Sequence, residues 1–459
     1  MSTPSYFRPE ALKAARVRAG WTKRQLIHAL RRAAHRQGIA LVGDDSLTRA
    51  IASWENGHHF PTQYLDLLTE AYHSPAHELG LAPAQPEDAE PPASYPDTTS
   101  DAVTATASLW TADLRPGSDP DAFTVPGSLP REASLAWLVT PTGESLPIPG
   151  DGVHVGLADV QAIRTTVDMF VAMDNQFGGG HARRALIQYL ADDVATLLAG
   201  TYTDIVGRDL FSAVAEANLL AAWMSYDSAH HALARRYFVL ALRLAQAADD
   251  RRLAASILSA MSHQSTYLGH HREAADLARA AITGVHHHAT PTMLAQFHAM
   301  EARALARAGD ATGCSTALSK TTAEFERARP GDDTPDWMTY FNEAELSDEL
   351  GHCFRDLGRP GEAVPYVKQP RTGPDVRSNF FGAIVLADTT FDAGEPEHAC
   401  SVALTALHNS THLKSARCAA YLTEFRARLD TVPTLPAVRD FIEQARHHRL
   451  WNHAARSTR

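Results

Sequence analysis

Five times from residue 222 onward, a turn residue is flanked at the same two distances by small side chains. The turns are Ala229, Gly269, Gly309, Gly358 and Gly394. Seven residues before them stand Ala222, Ser262, Ala302, Gly351 and Ala387, and five residues after them Ala234, Ala274, Cys314, Ala363 and Ala399. The turn-to-turn spacings are 40, 40, 49 and 36 residues. Glycine permits the turn, and small residues on either side let two helices cross closely. The intervening stretches are rich in Ala, Leu and Arg at helical spacing, with few strand signals. One helix pair cannot bury its apolar face alone, whereas about three or more stacked pairs share a continuous core. The pattern therefore predicts an all-α array over residues 156–459. Helices at about 157–176 and 181–199 are expected to cap its start. Trp337 to Glu349 is expected as the first helix of the fourth pair, and Pro433 to Trp451 as a closing helix.

Charge separates the rest of the chain from this array. The formal net charge is −11, which excludes a protein that coats nucleic acid with its whole surface. Yet residues 1–36 hold nine Lys/Arg against Glu10, a net of +8, and residues 82–160 hold two Lys/Arg against twelve Asp/Glu, a net of −10. A basic head before an acidic segment points to a polyanion-binding module on a tether; on charge alone, a solvated basic helix is the alternative. Residues 82–130 are rich in Pro, Ala, Asp, Ser and Thr, a composition that buries too little apolar surface to offset its ordering entropy. A disordered linker is expected over 82–155, with some order near Leu135–Val139. The four cysteines form no CxxC pair, which argues against a zinc ribbon or disulfide scaffold and for a reducing cytoplasm. The first residues lack an apolar stretch and no uninterrupted apolar run reaches about 18 residues, so neither export nor a membrane contact is expected.

Within residues 1–81 the signals are those of a bundle of four or five short helices. Pro9 opens one that ends at Gly20, and Thr22 caps a second from Lys23 to about Ala34. Asp45-Ser46 cap a third from Leu47 to Trp54, which Gly57 stops, and Pro61 starts another. The run Ser46-Leu47-Thr48-Arg49-Ala50-Ile51-Ala52-Ser53-Trp54-Glu55-Asn56-Gly57 resembles the third helix and stop of the Cro/C1-type (XRE) helix-turn-helix. The link from about His35 to Asp45 is longer than that family's tight turn. The resemblance implies that the third helix lies in the major groove of double-stranded DNA. Thr48, Arg49 and Ser53 would then face base edges, Arg49 by pairing its fork with guanine. Lys23, Arg24, Asn56 and His58 would touch phosphates, which sets position rather than sequence. Arg16 and Glu55 would form an ion pair bracing the first helix against the stop.

The five turns with their small neighbours resemble the tetratricopeptide repeat, with longer loops. That geometry implies a concave groove lined by the first helix of each pair. It would hold Glu216, Leu219, Trp223 and Tyr226, then Ser259, His263 and Tyr267, then Gln296, Arg303 and Arg307. Glu345, His352 and Arg355, and then Phe381, Asp388 and Phe391, would complete it. Aromatics beside mixed charges suit a peptide or polar small molecule; for Trp223 and Tyr226 a core role is the alternative. The segments Ala222–Asp227, Ser259–Gln264, Phe177–Arg183 and His352–Gly358 look typical of a group of actinobacterial regulators associated with development and secondary metabolism.

Other motifs carry less. Gly178-Gly179-Gly180 lacks P-loop spacing and reads as a flexible helix boundary rather than an anion cradle. His286-His287-His288, His230-His231 and His270-His271 do not share a helical face with further ligands, so no metal or cofactor is expected. No nucleophile-and-base order or paired carboxylate stands out, so an enzyme is not expected. The reading is a cytoplasmic, sequence-specific DNA-binding regulator of transcription, nucleoid-associated when bound. Its repeats would sense a peptide, small-molecule or protein effector and form a homodimer. The alternative is a protein-interaction adaptor with a non-reading head.

Overall fold

Pro9 begins the first helix and Thr22 caps the second, as their chemistry dictates. The computed structural model describes residues 4, 7–72, 74, 76, 79–81, 93–140, 143, 146, 152–285, 287–368 and 375–457. They fall into two units, Met1–Glu90 and Pro91–Arg459. The first holds α1 (Pro9–Arg18), α2 (Lys23–Arg36), α3 (Asp44–Glu55) and α4 (Leu65–Tyr72). The Thr22 hydroxyl accepts from Gln25 N at 3.3 Å, and Gln25 Oε1 accepts from Thr22 N at 2.7 Å. This reciprocal cap satisfies two donors that the helix leaves open. Leu26, Ile27 and Leu30 of α2 meet Leu47, Ile51 and Trp54 of α3 and Leu67 and Leu68 of α4 in one core. Helix α3 starts three residues earlier than expected, with Gly43 at its cap. Arg31 ties the long connection down: its Nε donates to Asp44 Oδ1 at 2.9 Å and its Nη2 to Val42 O at 3.1 Å. Ahead of α4, a 3-10 turn (Thr62–Tyr64) takes the place of the helix expected to start at Pro61.

The second unit begins with a correction. Residues 82–92 of the expected linker lie outside the described residues, but its remainder contains α5 (Thr99–Leu114) and α6 (Leu129–Val139). Thr98 and Asp101 form the same reciprocal cap on α5 that Thr22 and Gln25 form on α2. Trp110 is fully buried, and its Nε1 donates to Asn218 Oδ1 at 3.2 Å. Asp113 takes the Arg183 guanidinium at 2.6 Å and the Tyr237 hydroxyl at 2.8 Å. Averaging composition over the prolines concealed these large apolar anchors. Part of the acidic charge read as a tether, Asp113 above all, is structural.

The array follows as α7 (Leu157–Phe177), α8 (Arg183–Tyr189), a π-helical turn (Leu190–Val194) and α9 (Ala195–Leu198). The second expected cap helix is thus broken into three pieces. Five pairs come next: α10 (Asp204–Asp227) with α11 (His231–Ala247), α12 (Arg251–Tyr267) with α13 (His271–Val285), and α14 (Pro291–Arg307) with α15 (Ala311–Arg327). They continue with α16 (Glu343–Asp356) and α17 (Pro360–Val367), then α18 (Val376–Asp392) and α19 (Pro396–His408). All five predicted turn residues have positive φ, from +67° at Gly358 to +90° at Gly394, with Ala229 at +69°. All ten flanking small residues are buried. Where Gly351 stands, a Cβ would come within 2.4 Å of Val367 Cγ1, across the α16–α17 crossing. Helix α16 starts at Glu343, not near Trp337, because Asn342 Oδ1 accepts from Ala344 N and Glu345 N.

The chain ends in α20 (Ala416–Leu429), α21 (Pro436–Ala445) and α22 (Arg449–Ser457), where one closing helix was expected. These helices do not simply extend the stack. Helix α18 packs on α7, and α20 packs on α10. The glycine triple is the seam. A Cβ on Gly178 would stand 2.6 Å from Lys414 O, and one on Gly179 would stand 2.5 Å from Met224 O. These glycines serve close backbone approach rather than flexibility. Among the described residues no helix is long and apolar enough to cross a membrane.

Candidate functional site

In the first unit, Leu47, Ile51 and Trp54 turn one side of α3 into the core, which leaves the opposite side outward. Thr48, Arg49, Asn56 and His58 are exposed, and Ser53 is half-buried. The Thr48 hydroxyl donates back to Asp44 O at 2.9 Å, and Arg49 Nε donates to Asp45 O at 3.3 Å. The outer Nη edge of Arg49 makes no protein hydrogen bond among the described residues. Ser53 Oγ is 2.8 Å from His59 Nδ1, so this hydroxyl has a partner that the sequence did not suggest. Arg24 is exposed and Lys23 half-buried, both in the first turn of α2, where open backbone N–H groups and the helix dipole favour anions.

The stop after α3 is braced. Arg16 places Nε 2.6 Å from Glu55 Oε1 and Nη2 3.1 Å from Glu55 Oε2, and its Nη1 donates to Trp21 O at 2.8 Å. Glu55 is 7% exposed, so this two-point pair fixes α1 against the end of α3 in a partly dry setting. Gly57 has φ +75°, and its Cα side meets Pro9. Asp44 and Asp45 suit the N-terminus of α3. Arg31 neutralises Asp44 and holds its carboxyl below the usual range.

In the second unit, most of the expected groove residues meet. Tyr226 is fully buried; its hydroxyl is 3.2 Å from His263 Nδ1, and its ring lies 5.7 Å from Trp223 and 5.3 Å from Tyr267. Arg303 pairs with Glu349 at 2.7 Å, and Arg355 with Asp356 at 2.7 Å and Asp388 at 3.1 Å. His352 stands edge-on to Tyr421 at 5.8 Å. Ser259 Oγ donates to Gln296 Oε1 at 2.8 Å. Glu216 does not join them: it faces α7 and pairs with Arg164 at 3.3 Å. Nor does Glu345 join; it sits in the first turn of α16 near Tyr340.

Most of the residues expected to line an open groove are instead buried or half-buried. Helix α20, which the sequence reading passed over, lies against this wall. Its Arg417 guanidinium is 4.5 Å from the Tyr226 ring centre, 4.8 Å from Phe381 and 5.9 Å from Trp223. Tyr421 packs on Phe381 at 4.8 Å, Glu424 meets Arg307 at 3.0 Å, and Arg428 meets Asp388 at 3.3 Å. Ser415 caps α20, and Leu422, Phe425 and Leu429 give it an apolar stripe, signals that identify it as a helix but not what it covers. Burial, reinforced by Arg417 and Arg303, holds His263 well below the ordinary imidazole range; burial with Arg303 and Arg355 does the same for His352. Both rings are therefore neutral near pH 7. No protein-family model, curated protein or solved structure matches the chain.

Proposed function

We propose that this chain is a sequence-specific regulator of transcription. In this reading the first unit is a Cro/C1-type helix-turn-helix on double-stranded DNA. The second is a tetratricopeptide-like stack that senses an effector and joins two copies. The observation that carries it is the outward side of α3, where Thr48 and Arg49 stand exposed beside a stop fixed by the Arg16–Glu55 pair. A reading helix needs this combination of a free donor edge and a rigid base. A single head makes few base contacts, so two heads on half-sites about one helical turn apart would supply the affinity. An adaptor that grips partners along the inner wall has less support, because α20 already lies there.

The test is selection of genomic fragments by the full-length chain at moderate salt. Recovery of a common sequence, with an affinity well above that for random duplex, is expected. Equal retention of all fragments, or none, removes the reading.

A further inference from the structure

Thr48 and Ser53, both on α3, engage their hydroxyls differently. A serine or threonine inside a helix usually bonds back to the carbonyl four residues earlier. Thr48 does so to Asp44 O, as do Thr104 to Ser100 O and Thr165 to Gln161 O in other helices. Ser53 Oγ instead meets His59 Nδ1 at 2.8 Å. The chain around His59 is held on both sides. Before it, Gly57 has φ +75° and lies against Pro9, and His58 N donates to Ser53 O at 3.0 Å. After it, Phe60 stands edge-on to Phe7 at 5.1 Å, and Pro61 is buried. The ring is thus delivered to Ser53 by a pinned stop, while His59 itself stays exposed. A hydroxyl offers one proton and two lone pairs, so a serine by itself pairs with donor and acceptor base edges alike. A neutral imidazole carries one N–H and one acceptor nitrogen. In water its proton favours Nε2, which leaves Nδ1 to accept. Ser53 then spends its proton on His59 and has only lone pairs left for a ligand.

We propose that His59 fixes the polarity of Ser53, so that this position of α3 reads an exocyclic amino group in the major groove, adenine N6 or cytosine N4. Guanine O6 and N7 and thymine O4 are acceptors, and would need the hydroxyl proton that His59 holds. His59 is a positioning residue: it touches Ser53 and acts on DNA through it. Thr48 commits its proton to a backbone carbonyl, whereas Ser53 commits it to a side chain, so residue 59 alone can reset it. The proposal rests on the regulator reading and gives its third helix a second specific contact beside Arg49.

The test is selection of an operator by the full-length chain at pH 8, followed by competition binding of its single-base variants. Ser53→Ala identifies the operator position that Ser53 faces, as the one whose preference it erases. There the natural chain should favour adenine or cytosine on one strand over guanine or thymine. His59→Ala should reduce that preference by roughly two- to tenfold and leave the other positions, including the guanine expected for Arg49, unchanged. His59→Asn should restore it, because Oδ1 of asparagine stands where Nδ1 stands in histidine and accepts likewise. A merely structural role for His59 would lower affinity for all variants alike. That uniform loss overturns the proposal, as does a preference for guanine or thymine at the Ser53 position, full preference in His59→Ala, or no position sensitive to Ser53→Ala. Any of these alongside a recovered operator spares the regulator reading, whereas failure to recover an operator removes both.

Discussion

Replacing Gly284 by alanine tests whether α6 belongs to the folded body. Gly284 lies in α13, and a Cβ there would stand 2.1 Å from both Cη2 and Cζ3 of Trp137. Carbon atoms attract best near about 3.5–4.0 Å, so the ring must retreat by more than about 1 Å. It has little room: Trp137 is 2% exposed, the Arg251 guanidinium lies 5.7 Å from its centre, and Arg251 Nη1 donates to Gly284 O at 3.1 Å. Two effects compete. On an undocked helix, Gly→Ala stabilises by roughly 0.5–1 kcal/mol through helix propensity. Against the docked ring, overpacking costs about 1–3 kcal/mol. The second wins, and Gly284→Ala is expected to destabilise by about 1–2 kcal/mol. Trp137→Leu destabilises through lost burial, but it vacates the space in question. In that background Gly284→Ala should be neutral or stabilising, a coupling of at least about 1 kcal/mol. Equilibrium urea unfolding of the full-length chain, followed through the transition of the larger unit, measures all four corners of the cycle. A stabilising Gly284→Ala in the otherwise natural chain, or strict additivity, would mean that Trp137 is not seated on α13.

Three further outcomes follow from other parts of the structure. Arg49→Ala should relax base preference by roughly 1–3 kcal/mol, whereas Lys23→Ala should weaken every sequence alike and reduce the salt dependence; equal effects of the two in a binding assay across operator variants would remove Arg49 as a reader. Ala229 holds φ +69° at a turn where the other four pairs use glycine, so Ala229→Gly should raise stability by about 1 kcal/mol, and a fall in the thermal midpoint would contradict the strain. His352 stays neutral in the fold but protonates near the ordinary imidazole value of about 6.5 when unfolded. The unfolded state therefore binds more protons below that pH, and stability is lost as pH falls. At pH 5 the unfolded-state term reaches about 2 kcal/mol. The stability advantage over His352→Gln should shrink by up to that amount between pH 7.5 and pH 5, and an advantage independent of pH would show that the ring is charged in the fold.

Much of the fold was legible because it obeys short-range rules. A positive-φ turn followed by a helix start, with small residues where backbones cross, is written within a dozen residues, and Ala229 through Gly394 kept that pattern despite unequal loops. Helix α2 was equally plain, because Thr22 and Gln25 carry both halves of their cap. What failed was averaging. Over 82–155 the prolines and acids dominated the composition, while the decisive residues, Trp110, Asp113 and Trp137, are few and find their partners more than 60 residues away. The capping pair Thr98 and Asp101 stood in the sequence with the same three-residue spacing as Thr22 and Gln25.

The cluster around Tyr226 was half legible for a related reason. Periodicity places Trp223, Tyr226, His263 and His352 on one side of successive first helices, and they do meet. Periodicity says nothing about a third body, and α20, which carries the signals of an ordinary amphipathic helix, packs on Tyr226 and Phe381. The seam that brings α20 there depends on Gly178 and Gly179, which looked like slack because glycine signals both freedom and close approach. Only the approach of the Lys414 backbone separates the two meanings. The same contact explains why nothing in the sequence singled out Arg417. In sequence it sits between Ala416 and Cys418, among ordinary helix formers, and its stacking on Tyr226 and Phe381 exists only once α10, α18 and α20 are brought together.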